Sequence, residues 1–161
     1  MAERPVVNAS PLILLAKAGV LDLLKLAGEE VLVPGTVTME IHRRGPTDPT
    51  VQAIENSPWL TIVEPLPIPA LIQAWDLGAG ESSVLAWAYA NPGTEAIIDD
   101  LAARRCAAGL GVPVRGTLGL VLVAKQRGIV SAARPVLEQL RQSGMYLSDR
   151  VLNQALTLVG E

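Results

Sequence analysis

The chain has 161 residues, a length that suits a single domain spanning residues 1–161. It is half hydrophobic and only 18% charged, which excludes a chain that is disordered as a whole. A net charge of −3, from 13 basic and 16 acidic side chains, excludes a strongly basic nucleic-acid protein. One cysteine, Cys106, and one histidine, His42, exclude an internal disulfide and a cysteine–histidine zinc site, so we expect Cys106 to be buried and inert.

Short aliphatic strands alternate with helices in the first half of the chain. Residues 6–7 indicate a buried strand, and Ser10 is expected to cap a helix that begins at Pro11. The pattern then predicts a helix near 20–26, a strand at 30–33 ended by Pro34, a helix over 36–44, a short helix near 50–56 and a strand at 59–63. Prolines hold residues 65–69 extended.

The same alternation continues in the second half. Gly78, Gly80 and Glu81 open a helix that reaches residue 90. We then expect a strand at 96–98, a helix over 101–110, a strand at 112–114, a helix over 118–127 capped by Thr117, and helices near 133–142 and 149–159. This order predicts a parallel sheet covered by helices on both faces, with ligands binding beyond the carboxyl ends of the strands.

Polar side chains follow two of these strands, and two more acids lie on or beside helices. Asn8 follows the first strand, Asp99 and Asp100 follow the strand at 96–98, and Glu40 and Glu81 are the helical acids. Carboxylates gathered in a parallel α/β sheet commonly hold Mg²⁺ or Mn²⁺ through their oxygen atoms. Such a metal activates water and neutralises charge on a phosphate.

Each of these side chains also has a purely structural explanation. Glu81 in a first helical turn complements the helix dipole, and Glu40 lies one turn before two arginines with which it can pair. Asp99 and Asp100 are both placed to cap the next helix, and Asn8 suits a turn. Because a strand alternates its faces, only one of the two aspartates is expected to face a shared site.

Five motifs, in order, resemble those of PIN-domain nucleases. Residues 8–13, NASPLI, resemble the opening Asp–x–Ser motif of that family, and residues 34–40, PGTVTME, resemble its proline-ended strand and glutamate-bearing helix. Residues 77–81, LGAGE, and residues 97–104 resemble the third and fourth motifs. Residues 116–128 are typical of one branch, which is related to VapC-type toxins.

The resemblance implies a three-layer α/β/α sandwich with a parallel sheet of four or five strands, and metal-dependent endoribonuclease activity. It implies a catalytic site formed by Asn8, Glu40, Glu81 and Asp99 or Asp100, with Ser10 supporting Asn8 by a hydrogen bond. Glu40, Glu81 and Asp99 would hold Mg²⁺ or Mn²⁺. Asn8 departs from the common aspartate of the family, which removes one formal charge and should weaken metal binding.

RNA is the substrate that the resemblance implies. The basic side chains expected to contact its phosphates are Arg43, Arg44, Arg104, Arg105 and Lys125. With three Trp, two Tyr and no Phe, the sequence shows few aromatic side chains for base stacking. Three uses stay open at this point: an active nuclease, a weakened or inactive PIN-like protein that binds RNA or a regulatory partner, and a toxin inhibited by an antitoxin.

The apolar surplus of the composition predicts a contact surface, either with an antitoxin or in a homodimer. The sequence shows no signal-peptide pattern and no apolar stretch long enough to span a bilayer. We therefore expect a cytoplasmic protein without membrane contact.

Overall fold

The structure is a computed structural model that describes residues 4–161. Its centre is a five-stranded, all-parallel sheet in the order β3-β2-β1-β4-β5. The strands are β1 (Val6–Val7), β2 (Val31–Pro34), β3 (Leu60–Val63), β4 (Ala96–Ile97) and β5 (Val114–Arg115). Helices cover both sides of the sheet, which confirms the predicted parallel sheet and the three-layer α/β/α architecture.

The helices follow the predicted order closely. They are α1 (Ala9–Lys17), α2 (Gly35–His42), α3 (Pro49–Glu55), α4 (Ala70–Gln73), α5 (Ala79–Ala90), α6 (Leu101–Leu110), α7 (Thr117–Gln126), α8 (Ala133–Gln142) and α9 (Asp149–Leu158). A 3₁₀ helix, Leu21–Leu26, follows α1. No helix within residues 4–161 is both long and apolar enough to cross a membrane.

Two predicted helix caps are wrong. The N-cap of α1 is Asn8, whose extended backbone ends β1, so Ser10 lies inside the helix. Pro11 then occupies the third helical position, where its missing N–H still costs nothing, because the first four helical N–H groups have no partner within the helix. The N-cap of α7 is Gly116, and Thr117 is the first helical residue.

Three smaller differences concern element boundaries. The helix expected near 20–26 is a 3₁₀ helix, Leu21–Leu26. The short helix α4 follows the extended prolines and is not predicted from the sequence, and the last strand begins two residues later than expected, at Val114–Arg115. Tertiary packing decides such short elements more than local propensity does.

The core consists of the strands and the helix faces that cover them. Val6 and Val7 of β1 are fully buried, as are Val31 and Ile97 on the neighbouring strands, because a sheet covered on both faces exposes neither side of a strand. Cys106 on α6 is also fully buried, as predicted, and burial raises the pKa of its thiol, which disfavours the reactive thiolate form. This rigid sheet places Asn8 and Asp99 at the same carboxyl edge.

Candidate active site

The Asn8 side of the site is built from three elements. Asn8 follows β1, is only 2% exposed, and donates its backbone N–H to the carbonyl of Ile97, 3.1 Å away. Gly80 lies in the first turn of α5, and a Cβ placed on it would lie 2.8 Å from Glu40 Oε2 and 2.9 Å from Asn8 Oδ1. The amide oxygen and the carboxylate, which comes from α2, therefore face the same small space over Gly80.

The Asn8 amide oxygen has no hydrogen-bond partner among residues 4–161. A buried acceptor left without a partner costs about 1–3 kcal/mol, so native structures seldom keep one unless water, an ion or a ligand satisfies it. Ser10 lines the same cleft as Asn8 but does not donate to this oxygen. The Asn8 oxygen is therefore free to bind a group from outside the described chain.

The Asp99 side of the site is fully hydrogen-bonded. Asp99 lies just beyond β4, and its Oδ1 accepts from the backbone N–H of Thr117 at 2.7 Å while its Oδ2 accepts from the Thr117 hydroxyl at 2.6 Å. Thr117, fully buried, begins α7 directly after β5, the neighbouring strand. Each carboxylate oxygen keeps a second lone pair, so this pairing orients Asp99 without exhausting its acceptors.

Asp100 has a different role from Asp99. It is the N-cap of α6, and its Oδ2 accepts from the backbone N–H of Ala103 at 2.9 Å. Both aspartates line the cleft. Of the two, Asp100 is the one that caps the next helix, which is the structural explanation that the sequence allowed for either. Asp99 does not cap α6; it is linked to α7.

Glu81 lies between the two sides. It is the third residue of α5, and its Oε2 folds back to within 2.5 Å of the point where Gly78, the N-cap, would carry a Cβ. In this position the carboxylate complements the helix dipole, as the structural explanation predicted. Glu81 also lines both spaces of the site, so the two explanations are compatible.

Two adjoining spaces lie along the carboxyl edge of the sheet. The larger is a cleft of about 660 Å³ lined by Asn8, Glu81 and Asp99, and the smaller, about 250 Å³, is lined by Glu40 and Glu81. The structure thus brings the four predicted positions to one edge, in a row from Glu40 to Asp99.

The donors fit a hard divalent cation by type, because amide and carboxylate oxygens are the ligands that Mg²⁺ and Mn²⁺ prefer. Their positions fit only in part. Within the described chain, no three His, Cys, Asp or Glu side chains are placed to hold one ion, so Glu40, Glu81 and Asp99 do not form the expected acidic cluster. The pair formed by Asn8 and Glu40 supplies two suitable oxygens over Gly80.

Two of the predicted basic residues reach the site. Arg43 lines the smaller space beside Glu40. Arg104 lines the cleft, and its Nη1 lies 2.7 Å from the point where Gly116 would carry a Cβ, a point that is 3.1 Å from Asp99 Oδ1. A positive charge therefore lies at each end of the row of acids.

The other predicted basic residues are placed elsewhere. Arg44 pairs with Asp48 at 3.0 Å. Desolvation acts to raise the pKa of Asp48, but the hydrogen bond from the Thr50 N–H, assisted by the one from Arg44, outweighs it and lowers this pKa. Lys125 donates to the carbonyl of Ser131 at 2.7 Å and lies 3.8 Å from Glu161. Arg105 is exposed on α6 and does not line the cleft.

Three features of the site were not predicted from sequence. The sequence indicates Thr117 only as a helix cap, although its hydroxyl orients Asp99. The sequence indicates Gly80 only as a residue that opens a helix, and Gly116 only as part of a motif. In the structure the absence of a side chain at each leaves room for charged atoms. The only signal in the sequence is that the two glycines stand near predicted acids or motif residues. The contact between Asp99 and Thr117, which are 18 residues apart, depends on how α7 packs and has no local signal.

A family model, DUF3368, described as a PIN domain, matches residues 4–161. Neither a curated protein nor a solved structure gives a significant match to the chain. The matched segment contains the whole five-stranded parallel sheet and the row of polar residues at its carboxyl edge. On the strength of this match over nearly its full length, the chain belongs to the PIN-domain family.

Proposed function

We propose that this protein is a metal-dependent endoribonuclease whose site is the row of Asn8, Glu40, Glu81 and Asp99. The observation that supports it most directly is the buried Asn8 oxygen, which lacks a partner in residues 4–161 and lies with Glu40 Oε2 over Gly80. A protein that buries an acceptor beside a carboxylate gains most from a cation there.

In this proposal each side chain has a distinct task. Asn8 and Glu40, whose oxygens face the same space over Gly80, would hold Mg²⁺ or Mn²⁺ directly, and Glu81 and Asp99, which line the adjoining cleft, would act on it through water. A divalent cation in this place supplies an activated water and positive charge against the phosphate. Thr117 keeps the Asp99 carboxylate in one orientation, because it donates to both oxygens.

Arg43 and Arg104 would hold the RNA backbone at the two ends of the site. Both line its spaces, and a guanidinium forms paired hydrogen bonds with phosphate oxygens. Arg104 Nη1 and Asp99 Oδ1 both lie near the point where Gly116 would carry a Cβ, so the absence of a side chain there leaves room for both. A phosphate placed there would be close to the acids that hold the ion.

A second candidate function is RNA or partner binding without cleavage. Two observations favour it: Asn8 lacks the charge of an aspartate, and the described residues include no cluster of three acids placed for one metal. In that case, the protein would be a regulatory relative of the nucleases. In either case, an antitoxin partner and a homodimer are proposals that follow from the resemblance and the apolar composition. A cytoplasmic location is a proposal that follows from the sequence, which shows no signal-peptide pattern.

The test is cleavage of labelled tRNA by the purified protein with Mn²⁺, with EDTA, and in the variants Glu81→Gln and Asp99→Asn. An active nuclease cleaves only with the metal, and both variants lose activity at least 100-fold. Cleavage that persists in both variants would reveal a contaminating enzyme and contradict the proposal. Tight RNA binding without cleavage in Mn²⁺ would instead establish the second candidate function.

A further inference from the structure

The loop between α8 and α9, residues 143–148, contributes an exposed tyrosine to the lining of the cleft. Tyr146 lies in this loop and lines the cleft together with Asn8 and Asp99, yet it is 93% exposed. A large ring that stays in water contributes almost nothing to the hydrophobic core. The ring is therefore available to a ligand that enters the cleft.

The backbone on both sides of Tyr146 is fixed. The N–H of Met145 donates to the carbonyl of Leu140 at 3.0 Å, and Arg141 Nη1 donates to the carbonyl of Leu147 at 3.0 Å. The Leu147 side chain is buried, and Met145 packs against the core. The backbone that carries Tyr146 is thus held in place before any ligand arrives, which lowers the entropy cost of ordering this loop on binding.

The chemistry around the ring fits a nucleotide. Arg104 supplies a cation for a phosphate, and Tyr146 supplies a flat face, in the same 660 Å³ cleft that contains Asp99. Nucleobases stack on such rings whatever their sequence, because each base has a π face. The exposed Leu101 and Val151 of the same cleft extend the apolar surface beside the ring.

Resting on the proposed function, we propose that Tyr146 binds a nucleobase of the RNA next to the phosphate that Arg104 contacts. Tyr146 is then the residue that places the strand relative to the acids, and it selects RNA whose base is free to leave its own stack. The sequence alone indicated few side chains for base stacking; the fold brings one of them into the cleft.

The test compares Tyr146→Ala with Tyr146→Phe and with Tyr89→Ala. Tyr89 is the other tyrosine of the chain, lies on α5, and lines a separate pocket, so its removal is the matched control. The measurement is the Kd for a labelled single-stranded RNA by fluorescence anisotropy in Mn²⁺, with Glu81→Gln in every variant to prevent cleavage. A second RNA of the same length carries abasic sites in place of bases.

We expect Tyr146→Ala to raise the Kd roughly tenfold, whereas Tyr146→Phe keeps it within about twofold of the parent protein. Tyr89→Ala leaves the Kd unchanged, and the abasic RNA binds weakly and equally to all variants. A thermal melt of each variant confirms that it is folded.

An unchanged Kd in Tyr146→Ala would overturn the proposal, and would leave a protein partner as the occupant of this part of the cleft. A Kd that rises equally for the abasic RNA in Tyr146→Ala would overturn it too, because a ring on which bases stack makes no difference to a strand without bases. Cleavage by the parent protein is scored separately. The nuclease proposal can thus fail while the tyrosine effect is observed, and the reverse.

Discussion

The two sides of the candidate site satisfy their oxygens in opposite ways. Both carboxylate oxygens of Asp99 accept hydrogen bonds from Thr117, at 2.6 and 2.7 Å. The amide oxygen of Asn8 is buried without a partner in the described chain, and it shares with Glu40 Oε2 the space that a Cβ on Gly80 would fill. The oxygens of Asp99 find hydrogen-bond partners within the protein, whereas the Asn8 oxygen gains a partner only when another group binds.

The difference has its origin in the sheet. Asp99 and Thr117 follow β4 and β5, which are neighbours, so one strand end pairs directly with the next. Asn8, Glu40 and Gly80 come from a strand end and two helices, each held by its own packing in the core. At this point an amide oxygen and a carboxylate, neither of which can donate a hydrogen bond to the other, are brought together, and a cation can bind both.

The largest expected effect is on the Asp99 side. Asp99→Ala should lower the free energy of unfolding by about 3 kcal/mol, because two hydrogen bonds from buried Thr117 atoms to a charged acceptor disappear. Urea denaturation at neutral pH measures this loss. Asp100→Ala, which removes only a helix cap, should cost about 1 kcal/mol, and equal losses in both variants would contradict a special role for the Asp99–Thr117 pair.

The Asn8 side should respond to charge through the metal. Asn8→Asp places a second carboxylate near Glu40, so we expect the Kd for Mn²⁺, measured by calorimetry, to fall about tenfold or more. In EDTA the same variant should unfold at lower urea, because the new carboxylate is buried and lies near the negative charge of Glu40. Asn56→Asp, on an exposed asparagine, is the control; an equal change in both variants would mean that Asn8 is not a ligand.

A smaller effect tests the space between the two oxygens. Gly→Ala within a helix usually stabilises a protein by about 0.5–1 kcal/mol. A Cβ added to Gly109 on α6 would meet nothing within 4 Å, so Gly109→Ala should show this gain in a urea titration. At Gly80 the added Cβ lies within 3 Å of both oxygens, so they must move apart. Gly80→Ala should show no gain in stability and should weaken Mn²⁺ binding; equal gains at both glycines would show that the oxygens move freely.

The fold was largely predictable because its signals are local. The strands are continuous aliphatic runs, and each predicted strand lies within two residues of its place in the structure. The rule that ligands bind beyond the carboxyl ends of parallel strands then placed Asn8 and Asp99 at one edge. The cap at Ser10 failed because Asn8 and Ser10 are both good caps, and only the packing of α1 on the sheet selects between them.

The state of each site residue was not predictable, because it depends on contacts between distant residues. Nothing near Asp99 in the sequence indicates that Thr117 binds both of its oxygens, and nothing near Lys125 indicates that it lies beside Glu161. The position of Tyr146 in the cleft likewise depends on how α8 and α9 pack. Sequence identified the edge and the acids, and the structure decided which atoms remain free.

The smallest effect comes from a carboxylate that resembles Asp99 in its bonding but lies outside the site. Glu161 accepts from the backbone N–H of Ala133 at 2.6 Å and of Arg134 at 3.2 Å, at the start of α8. The N–H of Ala133 is the main cause that holds the pKa of Glu161 below its usual value, with Arg134 and Lys125 assisting against partial desolvation. A lowered pKa in the folded state means that the ionised form is the one that folding favours.

The stability from Glu161 is therefore fully present above the pKa of an unfolded glutamate and is lost as pH falls through its folded value. Glu161→Gln should lower the urea midpoint slightly at pH 7, and the difference from the parent protein should shrink as pH falls to about 3. Solvent screens this group, so the change should be smaller than that of Asp99→Ala. A difference that stays constant over the whole pH range would show that Glu161 acts by packing, and that carboxylates at helix starts in this protein do not stabilise it by charge.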